Sequence, residues 1–194
     1  MKEKEFLSQL IFEPLTKKTW NAFEILFGER GACGGCWCMY DRLKKVDFVE
    51  GKYESNKQNF KEIVWSGKHT GLLAFYDGEA IAWCSLAPRE DFLRIENSRV
   101  HKRIDDKPVW SLTCFFIKKE FRNCGLSGAL IEEAKKYAKQ NKIKILEAYP
   151  TIPYSEKMPE SFAWIGIYSA FKKAGFNIVN HSSKSRPMVR YEVK

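Results

Sequence analysis

The spacing of hydrophobic positions changes several times along this chain, and each change marks an element. Val109-Trp-Ser-Leu-Thr-Cys-Phe-Phe-Ile117 is a nearly unbroken apolar run, the pattern of a strand covered on both faces. A glycine-containing turn follows, Arg122-Asn-Cys-Gly-Leu-Ser-Gly128. From Gly128 to Asn141 the period becomes helical, with Leu130, Ile131, Ala134, Tyr137 and Ala138 on one stripe. Ile143 to Tyr149 returns to a strand pattern. Strand, turn, helix and strand over residues 109–149 predict a right-handed βαβ unit with two parallel strands.

The flanks are built of shorter pieces. Phe6–Phe12 predicts an edge strand. Thr16 stands where it can cap a helix that runs to Phe27, with Trp20, Phe23 and Phe27 on one face and Gly28 as its stop. Residues 56–66 read as a short helix with Phe60, Ile63 and Val64 inward. Leu72–Tyr76 and Ala80–Leu86 flank Asp77-Gly78, a strong hairpin signal. The polar stretch from Pro88 to Pro108 is long for a connection and holds a short helix near Asp91–Asn97. After a connecting segment at 150–159, Phe162–Ala174 predicts a helix stopped by Gly175. Strands at Phe176–Asn180 and Met188–Val193 close the chain. The fold class is α/β (α+β), with a mixed sheet flanked by helices. All 194 residues are expected to form one domain.

The turn at Arg122–Gly128 has chemistry of its own. Gly125 and Gly128 remove side chains where the backbone enters a helix, so free N–H groups face outward from a positive dipole end. Arg122 adds a fixed cation at the rim. The spacing lacks the first glycine of a dinucleotide-binding turn and the Gly-Lys-Ser/Thr of a P-loop.

The Arg122-x-x-Gly125-x-Ser127 spacing, following Ile117, Glu120 and Phe121, resembles the acyl-CoA-binding turn of the GNAT N-acetyltransferase superfamily. Ser127 stands where that family usually has Gly or Ala, and Lys119 where it has Pro. Phe171-Lys-Lys-Ala-Gly-Phe176 is similar to the family's closing Tyr-Glu-Lys-Leu-Gly-Phe. Gly35–Met39 and Arg186–Arg190 resemble an N-terminal Gly-Cys-Trp-Cys-Met and a C-terminal Arg-Pro-x-x-Arg of one branch of it. The resemblance implies a GNAT-like domain over residues 15–193 with its acyl-CoA core at 109–149. Acetyl-CoA would lie between two splayed parallel strands. Phe115, Phe116 and Ile117 would hold the pantetheine arm, with the amide of Phe116 or Ile117 supporting the oxyanion. The amides of Asn123, Cys124, Gly125, Leu126, Ser127 and Gly128 would hold the pyrophosphate. An amine attacks the thioester directly, so a base is needed. Glu147, at the carboxyl end of the second strand, is the first candidate, beside the alternative of a structurally paired carboxylate. Asp91 and Glu96 are weaker ones. Phe171 occupies the family's usual proton-donor position; Tyr168, one turn earlier, is the substitute, with water as the alternative. The acceptor, an amine of a small molecule, is expected among Trp37, Tyr40, the 88–108 stretch and Tyr154–Trp164.

Composition narrows the partners. Apolar residues make up 44% and aromatics 14%, which excludes a disordered chain. No apolar run is long enough to span a membrane, and Met1-Lys-Glu-Lys-Glu does not begin a signal peptide. The net charge of +9 admits nucleic acid, an acidic metabolite or CoA phosphates. The basic residues are scattered and no RNA-binding aromatic signature accompanies them, which disfavours nucleic acid. Six cysteines without secretory context point to reduced thiols in a cytoplasm. Cys33, Cys36 and Cys38 lack a fourth ligand at conventional spacing, so no metal is expected. His69, His101 and His181 show no partner pattern. A CoA-binding sensor without catalysis is a second reading, a basic nucleic-acid module a third. Oligomeric state is not written in the chain, and a homodimer is open.

Overall fold

The computed structural model describes residues 3–153 and 164–194. Among the described residues fourteen α-helices and β-strands follow one another: α1 (Glu3–Ser8), β1 (Ile11–Pro14), α2 (Trp20–Phe27), α3 (Lys45–Glu50), α4 (Glu54–Trp65), β2 (Gly71–Tyr76), β3 (Glu79–Pro88), α5 (Leu93–Glu96), β4 (Trp110–Ile117), α6 (Leu126–Gln140), β5 (Ile145–Ala148), α7 (Tyr168–Lys173), β6 (Asn177–Asn180) and β7 (Met188–Glu192). The strands form one seven-stranded sheet in the order β1-β2-β3-β4-β5-β7-β6. Among the described strands only β4 and β5 pair in parallel, as the βαβ reading requires. No described helix is long and apolar enough to cross a membrane.

Side-chain alternation divides the core into two layers. Leu72, Ala74, Ala82 and Cys84 face α6 and α7, while Leu73 and Trp83 face α2 and α4. Trp83 is fully buried, with Phe23, Phe27 and Phe60 meeting its ring edge-to-face. Its indole N–H donates to Cys38 Sγ at 3.0 Å, which fastens the cysteine-rich loop to the sheet. The loop turns tightly enough to need glycine. A Cβ on Gly35, at φ +72°, would lie 2.3 Å from the Tyr53 backbone nitrogen.

Several boundaries differ from the sequence reading. The expected edge strand at Phe6–Phe12 begins instead as helix α1, because Phe6 is buried between Tyr76 and Phe121. Thr16 does not cap α2: Thr19 Oγ1 accepts from the Thr16 amide and donates to Pro14 O, and the helix starts at Trp20. Helix α3 was not predicted, since only Phe48 is buried on it and no stripe exists to read. Of the helix expected over 162–174, residues 162 and 163 lie outside the described residues. Residues 164 and 165 form a turn, Ile167 bridges Thr151 in parallel, and the helix begins at Tyr168.

The last feature controls the site. β4 and β5 pair over three rungs only, ending at Leu112↔Ala148. On the other side of β4, Ser85 faces Cys114 and Leu86 faces Leu112, so Thr113 is an extra residue, a β-bulge. Beyond it the parallel strands part. The Phe115 amide reaches across to donate to Trp164 O at 2.6 Å.

Candidate functional site

Two features meet where β4 and β5 separate. The first is the turn into α6. Arg122 Nε donates to Ile117 O, Asn123 takes a left-handed φ of +59°, and Gly125 stands at the N-cap at φ +76° with no side-chain cap. The first backbone bond beyond Arg122 is Ala129 N–H to Gly125 O at 3.1 Å. Six consecutive amides, Asn123 to Gly128, therefore have no partner among the described residues. Free donors of this kind at the start of a 15-residue helix are suited to receive an anion. The glycines serve different ends. A Cβ on Gly125 would meet Glu3 Oε1 at 2.6 Å and Leu7 at 3.2 Å, because α1 packs on its outer side. A Cβ on Gly128 would meet nothing within 4 Å. Gly128 keeps the outer face of the turn clear without any packing need for it. The cradle expected at Asn123–Gly128 thus fits the pyrophosphate of a coenzyme.

The strand residues divide by phase. Lys118 N–H donates to Ile81 O, and in an antiparallel ladder the alternate residues Phe116 and Cys114 then bond to β3. The backbones of Phe115 and Ile117 point to the opening instead. The expectation that the Phe116 amide supports an oxyanion is corrected on this ground, since that amide belongs to the sheet. Phe115 is already engaged by Trp164, which leaves Ile117.

The second feature is a cleft of about 280 Å³. Thr113 and Tyr149, the first residues past the last β4–β5 rung, lie in its wall. Tyr40 and Asp41 from the cysteine-rich loop, Arg94 and His101 from the stretch after β3, and Arg186 from the β6–β7 loop complete it. Tyr40 meets Trp164 edge-on at 5.3 Å, and the Arg94 guanidinium lies 3.9 Å from the Tyr40 ring centre. Arg94 Nη2 also donates to Tyr40 Oη at 3.1 Å. His101 Nε2 donates to Arg186 O at 3.1 Å, which places its proton there, and burial holds the imidazole below its ordinary range. Asp41 is 9% exposed and its carboxylate accepts no hydrogen bond among the described residues. Burial pushes its carboxyl up to about 6, against the opposing pull of Arg94, Arg42 and Arg186.

Glu147 lies behind this wall. It is fully buried, and both oxygens are taken: Oε1 accepts from Arg89 Nη1 and from Tyr149 Oη (2.6 Å), Oε2 from Arg190 Nε (2.7 Å). Ser111 bonds to Tyr149 Oη at 3.0 Å, and Arg190 reaches Asp105 at 2.8 Å. Burial beside Glu147 holds the Tyr149 phenol well above its usual range. Glu147 was expected as the base, but no atom of it faces the cleft; its alternative reading, a paired structural carboxylate, is what the geometry favours. Glu96 is likewise paired, to Arg89 and Arg103, and Asp91 to Lys68 and Arg42.

Tyr168 opens α7, and its amide donates to Thr151 O at 3.0 Å. Its hydroxyl has no partner among the described residues, and it packs partly buried on the main core. It does not line the cleft. Phe171 is fully buried against Phe115 and Phe176. Of the residues expected around the acceptor, Tyr40 and Trp164 are in place, Trp37 is in the α2 layer of the core, and 154–163 lie outside the described residues. Asp41, His101 and Arg186 were missed as site residues; the Arg186–Arg190 motif was the signal for the last. Cys38 lies in the core while Cys33 is exposed, so the triplet does not converge. Among the described residues no group of three or more metal-ligating side chains comes together.

The sequence matches the model of the acetyltransferase (GNAT) family over residues 37–159. No curated protein sequence matches it. Similar solved structures include the PaiA N-acetyltransferase of Thermoplasma acidophilum in complex with coenzyme A, 17% identical, with 94% of this chain and 98% of that one covered at a TM-score of 0.53. Arabidopsis thaliana NAA60 in complex with acetyl-CoA is 15% identical over 95% and 99%, with a TM-score of 0.51. The histone acetyltransferase HPA2 and related acetyltransferase of Corynebacterium glutamicum is 11% identical over 96% and 97%, at 0.57. At these identities the likeness is one of fold.

Proposed function

The chain belongs to the acetyltransferase (GNAT) family, and from that premise we propose that it transfers an acetyl group from acetyl-CoA to the amine of a small molecule seated in the cleft. The observation that carries this reading is the row of six amides at the start of α6 without a partner among the described residues, beside the point where β4 and β5 part. Acetyl-CoA, when bound, supplies a thioester that an amine attacks directly, releasing the thiolate. The amides of Asn123–Gly128 hold its diphosphate by hydrogen bonds and by the helix dipole. The edge of β4 at Ile117 faces the opening and offers one amide to the carbonyl oxygen as charge develops there. The cleft walls, Tyr40, Tyr149 and Trp164, exclude water around the acceptor. Tyr168 is the side chain available to protonate the departing sulfur, directly or through a water. Glu147 acts as a positioning residue, because its bond to Tyr149 Oη fixes the phenol in the wall.

The coenzyme site is tested with Gly128→Glu. The position has open space for a side chain, and an acidic residue at the third helical position favours the helix. The variant should fold at least as stably as the parent and lose the acetyl-CoA-dependent rise in melting temperature. A ligand at a hundred times its Kd stabilises by about 2.7 kcal/mol, so the loss is readily seen. If Gly128→Glu keeps the full shift, the coenzyme lies elsewhere.

A further inference from the structure

The cleft has an arrangement of charge that the coenzyme does not need. The neighbouring arginines are paired with carboxylates: Arg42 with Asp91, Arg89 with Glu147 and Glu96, Arg103 with Glu90 and Glu96, Arg190 with Glu147 and Asp105. The two in the cleft wall are not. Neither Arg94 nor Arg186 has a carboxylate partner among the described residues. Asp41 lies in the same wall, near enough for both to act on its charge, and its carboxylate accepts no hydrogen bond among the described residues. Its carboxylate opens to the cleft while most of the side chain is buried, and burial rather than a partner dominates its titration. The pattern is one buried anion and two unpaired cations facing one small space. It matches a ligand that carries the opposite charges.

We propose that the acceptor is a small primary amine that also bears an anionic group, a carboxylate or a phosphate. Its ammonium sits on Asp41 and its anion between Arg94 and Arg186. This rests on the acetyltransferase reading above and names its substrate class. The Arg94 guanidinium lies over the Tyr40 ring and donates to its hydroxyl, so its remaining donors are held in place for a planar or tetrahedral oxyanion. A cleft of about 280 Å³ lies at the small end of ligand sites, which suits a free amino acid or an aminoalkyl phosphate. Chemically, the amine nitrogen gives one proton to the Asp41 carboxylate. Its lone pair then forms the new N–C bond as the C–S bond breaks; the sulfur leaves with the C–S electron pair and is protonated, and the acylated nitrogen sheds its second proton, which replaces the one the sulfur took. Asp41 then returns its proton to water.

The experiment is thiol release from acetyl-CoA by the full chain over three matched sets of amines: free amino acids, aminoalkyl phosphates, and their neutral amide or alcohol counterparts. Melting with acetyl-CoA alone runs in parallel. The expected result is kcat/KM at least tenfold higher for one anionic set than for its neutral counterpart, and the set that leads identifies the anion. Arg186→Gln, at an exposed position, should raise KM for that anionic amine about tenfold and leave the neutral one unchanged, the scale of a hydrogen bond to a charged group. Asp41→Asn should lower kcat for both by about 10²-fold or more. Equal or better use of the neutral amines overturns the proposal. So does an Asp41→Asn variant as active as the parent, or loss of activity in His101→Ala with Asp41→Asn unaffected. Acetyl-CoA stabilisation with no turnover of any anionic amine also overturns it and leaves the coenzyme site standing. Absence of that stabilisation removes the acetyltransferase reading itself.

Discussion

Asp41→Asn should make the protein more stable, and by an amount that depends on pH. The wild-type carboxyl is pushed from an ordinary 3.8 up to about 6, chiefly by burial. Its folded pKa lies above its unfolded one, so the stability it confers as a protonated group is present at low pH and is lost as pH rises towards about 6. The arginines facing it, Arg42, Arg94 and Arg186, stay charged throughout. A shift of about two units at about 1.4 kcal/mol each gives a full penalty of about 3 kcal/mol. By the linkage relation, about 1 kcal/mol of this is present at about pH 4.5 and nearly all of it at about pH 7.5. Asparagine does not titrate, and it matches the protonated acid in shape. The advantage of Asp41→Asn over the parent should therefore grow by about 2 kcal/mol between those two pH values. Urea denaturation of both proteins at a series of pH values measures it, and other titrating groups cancel in the difference. The same substitution should lose acetyl transfer, a stability–activity opposition common where a site keeps an unpaired charge. A stability difference that does not change with pH would refute the reasoning, because it would mean that the Asp41 carboxyl titrates alike in the folded and unfolded protein.

Three further predictions follow from the geometry. Glu147→Gln leaves the buried guanidinium groups of Arg89 and Arg190 short of a charge, and should cost about 3–5 kcal/mol in urea denaturation; a loss under 1 kcal/mol would place the cluster in contact with water. Tyr168→Phe should bind acetyl-CoA as the parent does and slow thiol release by about 10²-fold, the low end for general acid catalysis; unchanged turnover assigns that proton to water. Protein purified without chelator should contain no stoichiometric zinc, because Cys38 packs on Trp83 while Cys33 faces solvent, and elemental analysis decides it.

What the chain wrote locally, it wrote legibly. The strand at 110–117, the helix of α6, the Asp77-Gly78 hairpin and the glycine turn between strand and helix all follow from periods and turn residues within a few positions of each other. The amides of Asn123–Gly128 are legible for the same reason: their freedom is a property of a helix start, not of distant packing. Other features needed the tertiary structure. Glu147 looked like a base because its position at a strand end was readable, while its partners Arg89 and Arg190 lie 58 and 43 residues away in sequence. The bulge at Thr113 depends on register against β3, and no residue type at that position announces it. Asp41 was unremarkable in sequence, one acid beside one arginine. Its character comes from burial and from arginines 53 and 145 residues further on, at Arg94 and Arg186. Periodicity is a short-range property that a sequence displays openly; desolvation and charge pairing are set by whichever distant segments the fold brings together, and only the folded chain decides them.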